Sequence, residues 1–176
     1  MKLLTINPGS TSTKIAVYDG SRQLFVSTIR HSVDDLSRFK KVTDQFQFRK
    51  NLVVKTLKEN GFDLEFDAVV GRGGLLKPIP GGVYEINEVM LSEMERPLRQ
   101  HACNLGCLIA SDIASAIPGC RALIADPGVV DELDDVARIT GSPIMPRITT
   151  WHALNQRAIG RRYAAERKDG RRYEDL

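Results

Sequence analysis

A chain of 176 residues, 42% hydrophobic and 27% charged, has the material for one ordinary globular core, so one domain is expected. Its 25 Lys and Arg nearly balance 22 Asp and Glu, and a net charge of +3 is too mild to argue for nucleic acid or a membrane surface as partner. Three cysteines are too few for a disulfide scaffold, and the opening apolar run stops at Asn7-Pro8, short of a signal core or a membrane span, so a cytoplasmic protein is expected.

In chain order, residues 3–6 and 14–18 are β-branched runs on either side of a polar turn, and a third strand, 23–29, follows Asp19-Gly20. Short connections between three strands predict an antiparallel meander. Ser32-Val33-Asp34-Asp35 is a helix-start signal, and the apolar spacing over 43–59 predicts a helix stopped by Asn60-Gly61. A buried strand at 67–70 runs into Gly71-Arg72-Gly73-Gly74, and a short strand at 82–86 follows the Pro78/Pro80 loop. Helices resume at Glu88 and over 104–117. A strand at 121–125, an acidic turn, a Pro-containing connector and a helix over 151–167 complete the pattern. A meander followed by helical crossovers predicts an α/β domain with a mixed sheet.

The turn 7–14 offers the Asn7 amide, hydroxyls on Ser10, Thr11, Ser12 and Thr13, N–H groups freed by Gly9 and the Lys14 ammonium, a set suited to phosphate oxygens. The same residues also make an ordinary solvated hairpin turn. It is not a Walker loop, because no second glycine precedes the lysine and a strand, not a helix, follows. Arg72 stands among three glycines at a strand end, where a guanidinium can fork onto a carboxylate or phosphate, or can simply face solvent.

His101 precedes the buried helix, whose free N–H groups favour an anion; a lone histidine is also a common structural hydrogen-bonder. Asp126 directly follows a strand, where α/β folds place ligand-binding residues, and suits orienting a base or holding hydrated magnesium. His152 opens the last helix beside Trp151 and Asn155. Asp131, Glu132, Asp134 and Asp135 read as a solvated face rather than a metal cluster. Cys103 and Cys107 read as buried thiols rather than a zinc site. The basic residues from Arg157 through Lys168 to Arg172 read as a solvated helix face rather than an RNA-binding strip.

Taken together, residues 6–14, Asp44-Gln45-Phe46-Gln47-Phe48-Arg49, residues 70–74, Gln100-His101-Ala102, Val130-Asp131-Glu132-Leu133 and His152-Ala153-Leu154-Asn155-Gln156 resemble the butyrate kinase branch of the acetokinase family in order and spacing. The resemblance implies a ribonuclease-H-like α/β domain of the actin, sugar kinase and acetate kinase superfamily over residues 1–176, with the inter-domain region starting at about 150. It implies reversible phosphoryl transfer between ATP and butyrate or a related short acid, giving ADP and an acyl phosphate, with Mg2+ required. Within it, Asn7, Ser10, Thr11, Ser12, Thr13 and Lys14 match a phosphate motif, and Arg72 matches the arginine that holds the carboxylate or the phosphoryl group. Asp126 matches the catalytic aspartate, and His101 and His152 match histidines that contact the transferring group. Asn7 and Asp126 would meet the metal through water. The family continues into a second phosphate loop and the adenosine pocket, so the chain is expected to be a truncated amino-terminal half, inactive alone. Two competing expectations are a non-catalytic domain that binds acyl phosphate and a split-enzyme half completed by a separately encoded carboxy-terminal partner. A branched apolar residue is expected where Gly128 stands.

Overall fold

A computed structural model describes residues 1–97, 99–167 and 170–175; Lys168 of the basic run lies outside them. Alternating apolar residues build β1 (Lys2–Pro8), whose Leu4 and Ile6 point into the core, and β2 (Ser12–Asp19), which buries Ile15 and Val17 the same way. β2 pairs antiparallel with β1, and β3 (Arg22–Arg30) pairs antiparallel with β2, so the predicted meander is present. β4 (Ala68–Arg72) then joins β1 in parallel, and β6 (Arg121–Ala125) joins β4 in parallel. β5 (Val83–Glu85) closes the edge antiparallel to β6, giving the order β3-β2-β1-β4-β6-β5. The parallel centre brings the ends of β1, β4 and β6 to one edge of the sheet, where Asn7, Arg72 and Asp126 stand.

Ser32 caps α1 (Val33–Ser37) through a reciprocal pair with Asp35, as its start signal predicts. The predicted helix from 43 begins as a single 3-10 turn, and α2 (Phe46–Glu59) follows, with Arg49, Val53 and Leu57 in one buried stripe. α3 (Glu88–Glu95) is capped by Asn87 and packs on α4 (Asn104–Ser115). α4 is buried almost all round because it lies between the sheet and its neighbouring helices. Leu4, Ile6, Ile15, Val17, Val53, Leu57, Val69, Leu105, Ile109 and Ile113 form the main core between sheet and helices. Burial of each of the larger aliphatic side chains contributes roughly 1.5–3 kcal/mol relative to exposure.

α4 rides directly on β4. A Cβ on Gly71 would stand 2.2 Å from Gly106 O, and one on Gly106 would stand 2.3 Å from Arg72 O, so only paired glycines permit this approach. The last helix, α5 (Ala153–Glu166), starts later than its sequence pattern suggests, with His152 as its N-cap residue but no side-chain cap bond. The acidic run keeps Glu132, Asp134 and Asp135 exposed, as expected of a solvated face, and departs from it at Asp131. Residues 131–134 are irregular, and Asp131 and Glu132 both bond to arginines.

Candidate active site

The turn between β1 and β2 is held from beneath by Arg49, which is fully buried. Its Nη1 donates to Gly9 O at 2.8 Å, Ser12 O at 3.2 Å and Thr13 Oγ1 at 3.2 Å, and its Nη2 donates to Ser10 O at 3.1 Å. Gln45 Oε1, one turn earlier, orients the fork by accepting from Nε and Nη2. Burial pulls the guanidinium down to about 10. With the carbonyls drawn inward, the Ser10 and Thr11 side chains and the Lys14 ammonium remain exposed, and Asn7 is exposed at the end of β1. Thr13 departs from the expected ligand-facing set. Its side chain is fully buried and its hydroxyl is engaged by Arg49 and by His31 Nε2 at 2.9 Å, so it braces the turn from inside.

Arg72, at the end of β4, donates from Nη1 to Asn7 Oδ1 at 3.4 Å, and its Nη2 meets His152 Nδ1. His101, 29 residues from Arg72 in sequence, reaches the same place because Asn104 ties the two segments. Asn104 Oδ1 accepts from Leu75 N, and its Nδ2 donates to Arg99 O, both at 2.9 Å. His101 Nδ1 accepts from Cys103 N at 3.2 Å, with Cys103 Sγ at 2.9 Å, so the neutral ring carries its proton on Nε2. Burial pushes the Cys103 thiol up against the opposing pull of Arg72, and pushes Cys107 up to about 12, which suits inert thiols.

Arg72, His101 and His152 together line a cavity of about 220 Å³, with Gly73, Leu75, Cys103, Gly128, Thr150 and Trp151 completing it. The cavity therefore offers a forked cation, two imidazoles and an apolar wall. A second groove, about 480 Å³, runs over the sheet face opposite α2 and α4. Asn7, Lys14 and Arg72 line it, and Leu154 and Asn155 of α5 border it. Asp126 lies at the same sheet edge but is not among the residues lining either space. Its Oδ1 accepts from Gly82 N and from Arg157 Nη1, both at 2.8 Å. Arg157 also binds Glu132, holding that carboxyl below its usual range. Arg157 thus departs from the expected solvated basic face.

Among the described residues, no group of three or more His, Cys, Asp or Glu side chains converges as a metal cage. Asp126 and Asn7 provide a carboxylate and an amide oxygen near the sheet edge. That set suits only water-mediated contact with a magnesium ion held mainly by substrate phosphates, since Asp126 Oδ1 is taken by Gly82 and Arg157 and Asn7 Oδ1 by Arg72.

No family model matches the sequence. A probable butyrate kinase of Bacteroides thetaiotaomicron is 61% identical over 176 residues, all of this chain and 49% of that protein. Butyrate kinase 2 of Clostridium acetobutylicum is 52% identical over 177 residues, covering 99% of this chain and 49% of its own. The chain is homologous to one half of a butyrate kinase. It spans about half the length of the curated relatives it matches. The acetate kinase of Porphyromonas gingivalis superposes with a TM-score of 0.61 over 93% of this chain and 48% of its own, at 16% identity. The acetate kinase of Entamoeba histolytica gives 0.60 over 96% and 47%. The chain therefore has the acetate kinase fold over about half of that fold's length. Four of its supporting residues carry no role in the sequence reading: Arg49, His31, Arg157 and Glu132. Arg49 stands in the Phe-Gln-Phe-Arg stretch, so sequence marks the segment but not its task.

Proposed function

We propose that the chain supplies the carboxylate- and phosphoryl-binding half of a butyrate kinase, catalysing reversible transfer between ATP and a short-chain carboxylate. The observation that carries this reading is the convergence of Arg72, His101 and His152 on one cavity that also has an apolar wall. Arg72 forks onto the substrate carboxylate or the group in flight. His101 donates from Nε2, and His152, already against Arg72, holds a second donor beside it. Charge spreading over the equatorial oxygens of a transferring phosphoryl group calls for such fixed donors and needs no covalent intermediate.

Ser10, Thr11, Ser12 and Lys14, with Asn7, bind nucleotide or acyl phosphate oxygens, and Thr13 and Arg49 keep that turn in shape. Asp126 and Asn7 would hold magnesium through water, and the ion would supply neutralisation of phosphate charge. Asp126, paired with Arg157 and lining neither space, acts on the reacting groups through that water and not by direct contact. We place the reaction in the cytoplasm, where the three free thiols stay reduced. No helix among the described residues is long and apolar enough to cross a membrane.

A coupled assay of ADP formation with MgATP and butyrate tests the reading, run with and without a separately expressed carboxy-terminal half of a related butyrate kinase. Turnover on mixing is expected, and Arg72→Ala should lower kcat about 10²–10³-fold through loss of one transition-state donor. Silence in both mixtures would remove the kinase reading and favour a domain that only binds acyl phosphate.

A further inference from the structure

Gly73 and Gly128 both line the cavity that holds Arg72, His101 and His152, for different reasons. A Cβ on Gly73 would stand 2.7 Å from Pro127 Cβ and 3.2 Å from Ile124 Cδ1, so packing excludes a side chain there. A Cβ on Gly128 would meet Trp151 O at 3.7 Å and Leu75 Cδ2 at 4.0 Å, which are ordinary contacts. The Gly128 backbone is also outside the left-handed region. Neither packing nor backbone conformation demands glycine at 128. The effect of its missing side chain is to leave room beside Leu75 and Trp151.

The cavity combines that apolar wall with the cationic Arg72, as a carboxylate with a hydrocarbon tail requires. With no side chain at Gly128, the apolar side of the cavity has room for a tail branched beyond that of butanoate, in contact with Leu75 and Trp151. We infer that Gly128 is a specificity-determining position that opens the acyl subsite to branched five-carbon acids. Such an acid, 3-methylbutanoate, sets its carboxylate on Arg72 and its forked tail over Gly128 against Leu75 and Trp151. The inference rests on the reading of this cavity as the carboxylate site.

Trp151 is the sole tryptophan of the chain and forms part of the cavity wall, so its emission reports occupancy. The experiment titrates the chain with sodium acetate, butanoate and 3-methylbutanoate, and separately with inorganic phosphate as a probe of the Arg72 end. Saturation-transfer NMR on the acid methyl protons provides a second readout. The wild type should bind 3-methylbutanoate roughly tenfold or more tightly than acetate, since a methylene in an apolar pocket is worth about that factor. The preference should shrink in Gly128→Ala and invert in Gly128→Val. Circular dichroism checks each fold, and the alanine variant, which the geometry admits, carries the test if the valine variant unfolds. Equal affinity for the three acids, or an unchanged preference in a folded variant, overturns the size role while leaving carboxylate binding intact. If neither the acids nor phosphate registers by either readout, the reading of the cavity falls and the size role falls with it.

Discussion

Arg49 satisfies three loop carbonyls and a threonine hydroxyl from a position with no solvent contact. Arg49→Ala should lower stability by about 2–3 kcal/mol, because Gly9 O, Ser10 O and Gln45 Oε1 lose the arginine as donor in a partly buried place, while Ser12 O keeps Gly9 N and Thr13 keeps His31. Arg49→Lys restores the charge without the fork and should recover only part of that loss. Urea unfolding measures both, and a loss below 1 kcal/mol for the alanine variant would remove the arginine from this role. His31 gives a pH signature at the same place. Burial, reinforced by Arg49 and opposed by Asp35, pulls its imidazole down to about 4 from 6.5. The unfolded ring takes up its proton near 6.5 and the native ring only near 4, so between those values the unfolded state binds more protons. Stability therefore falls as pH drops through that window, by on the order of 3 kcal/mol, and this group adds no slope outside it. His31→Gln should flatten the dependence of the urea midpoint between pH 7 and pH 4.5; an unaltered slope would place its origin elsewhere. Sequence reading singles out Asn7, Arg72, His101 and His152 because each stands at an element end or beside glycine. It does not find what Arg49 does, since an arginine within a helix looks solvated until its partners, 36 to 40 residues away, are seen.

The segments from 80 to 82 and from 126 to 132 are joined to α5 through Arg157, whose fork spans Asp126 and Glu132. Gly81 lies so close that a Cβ there would stand 1.9 Å from Arg157 Nη1, and its N–H donates to Glu132 Oε1 at 3.0 Å. Removing the arginine strands Asp126, whose side chain is only 10% exposed. Arg157→Ala should therefore cost about 2–4 kcal/mol and speed amide exchange at Gly82, whose N–H bonds to Asp126. Protection at Gly82 equal to wild type would show that the clamp is dispensable. Strands and helices were largely readable in the sequence, because period-two and helical apolar spacing dictate them locally. The arginine pairing of the acidic run is not readable in that way. Asp131, pulled down to about 2 first by the Arg138 hydrogen bond, and Glu132 find partners that local spacing cannot supply.

Over the whole molecule, the sheet edge gathers residues from β1, β4, β6 and the start of α5 without any one segment forming the site alone. Under the function proposed above, assembly with a complementary carboxy-terminal chain of a related butyrate kinase is where turnover is expected. The Gly71–Gly106 contact has a mechanical meaning for that assembly. With backbone resting on backbone, strand and helix have no side-chain layer to absorb displacement, so the two act as a single gauge block between Arg72 and His101. One methyl at either glycine wedges the block, and the error passes undamped to the reacting groups. Gly71→Ala in the reconstituted enzyme should lower kcat by about 10²-fold, the scale of a 1 Å misplacement. Turnover close to wild type in a folded Gly71→Ala enzyme would mean that the gap between strand and helix is free to breathe.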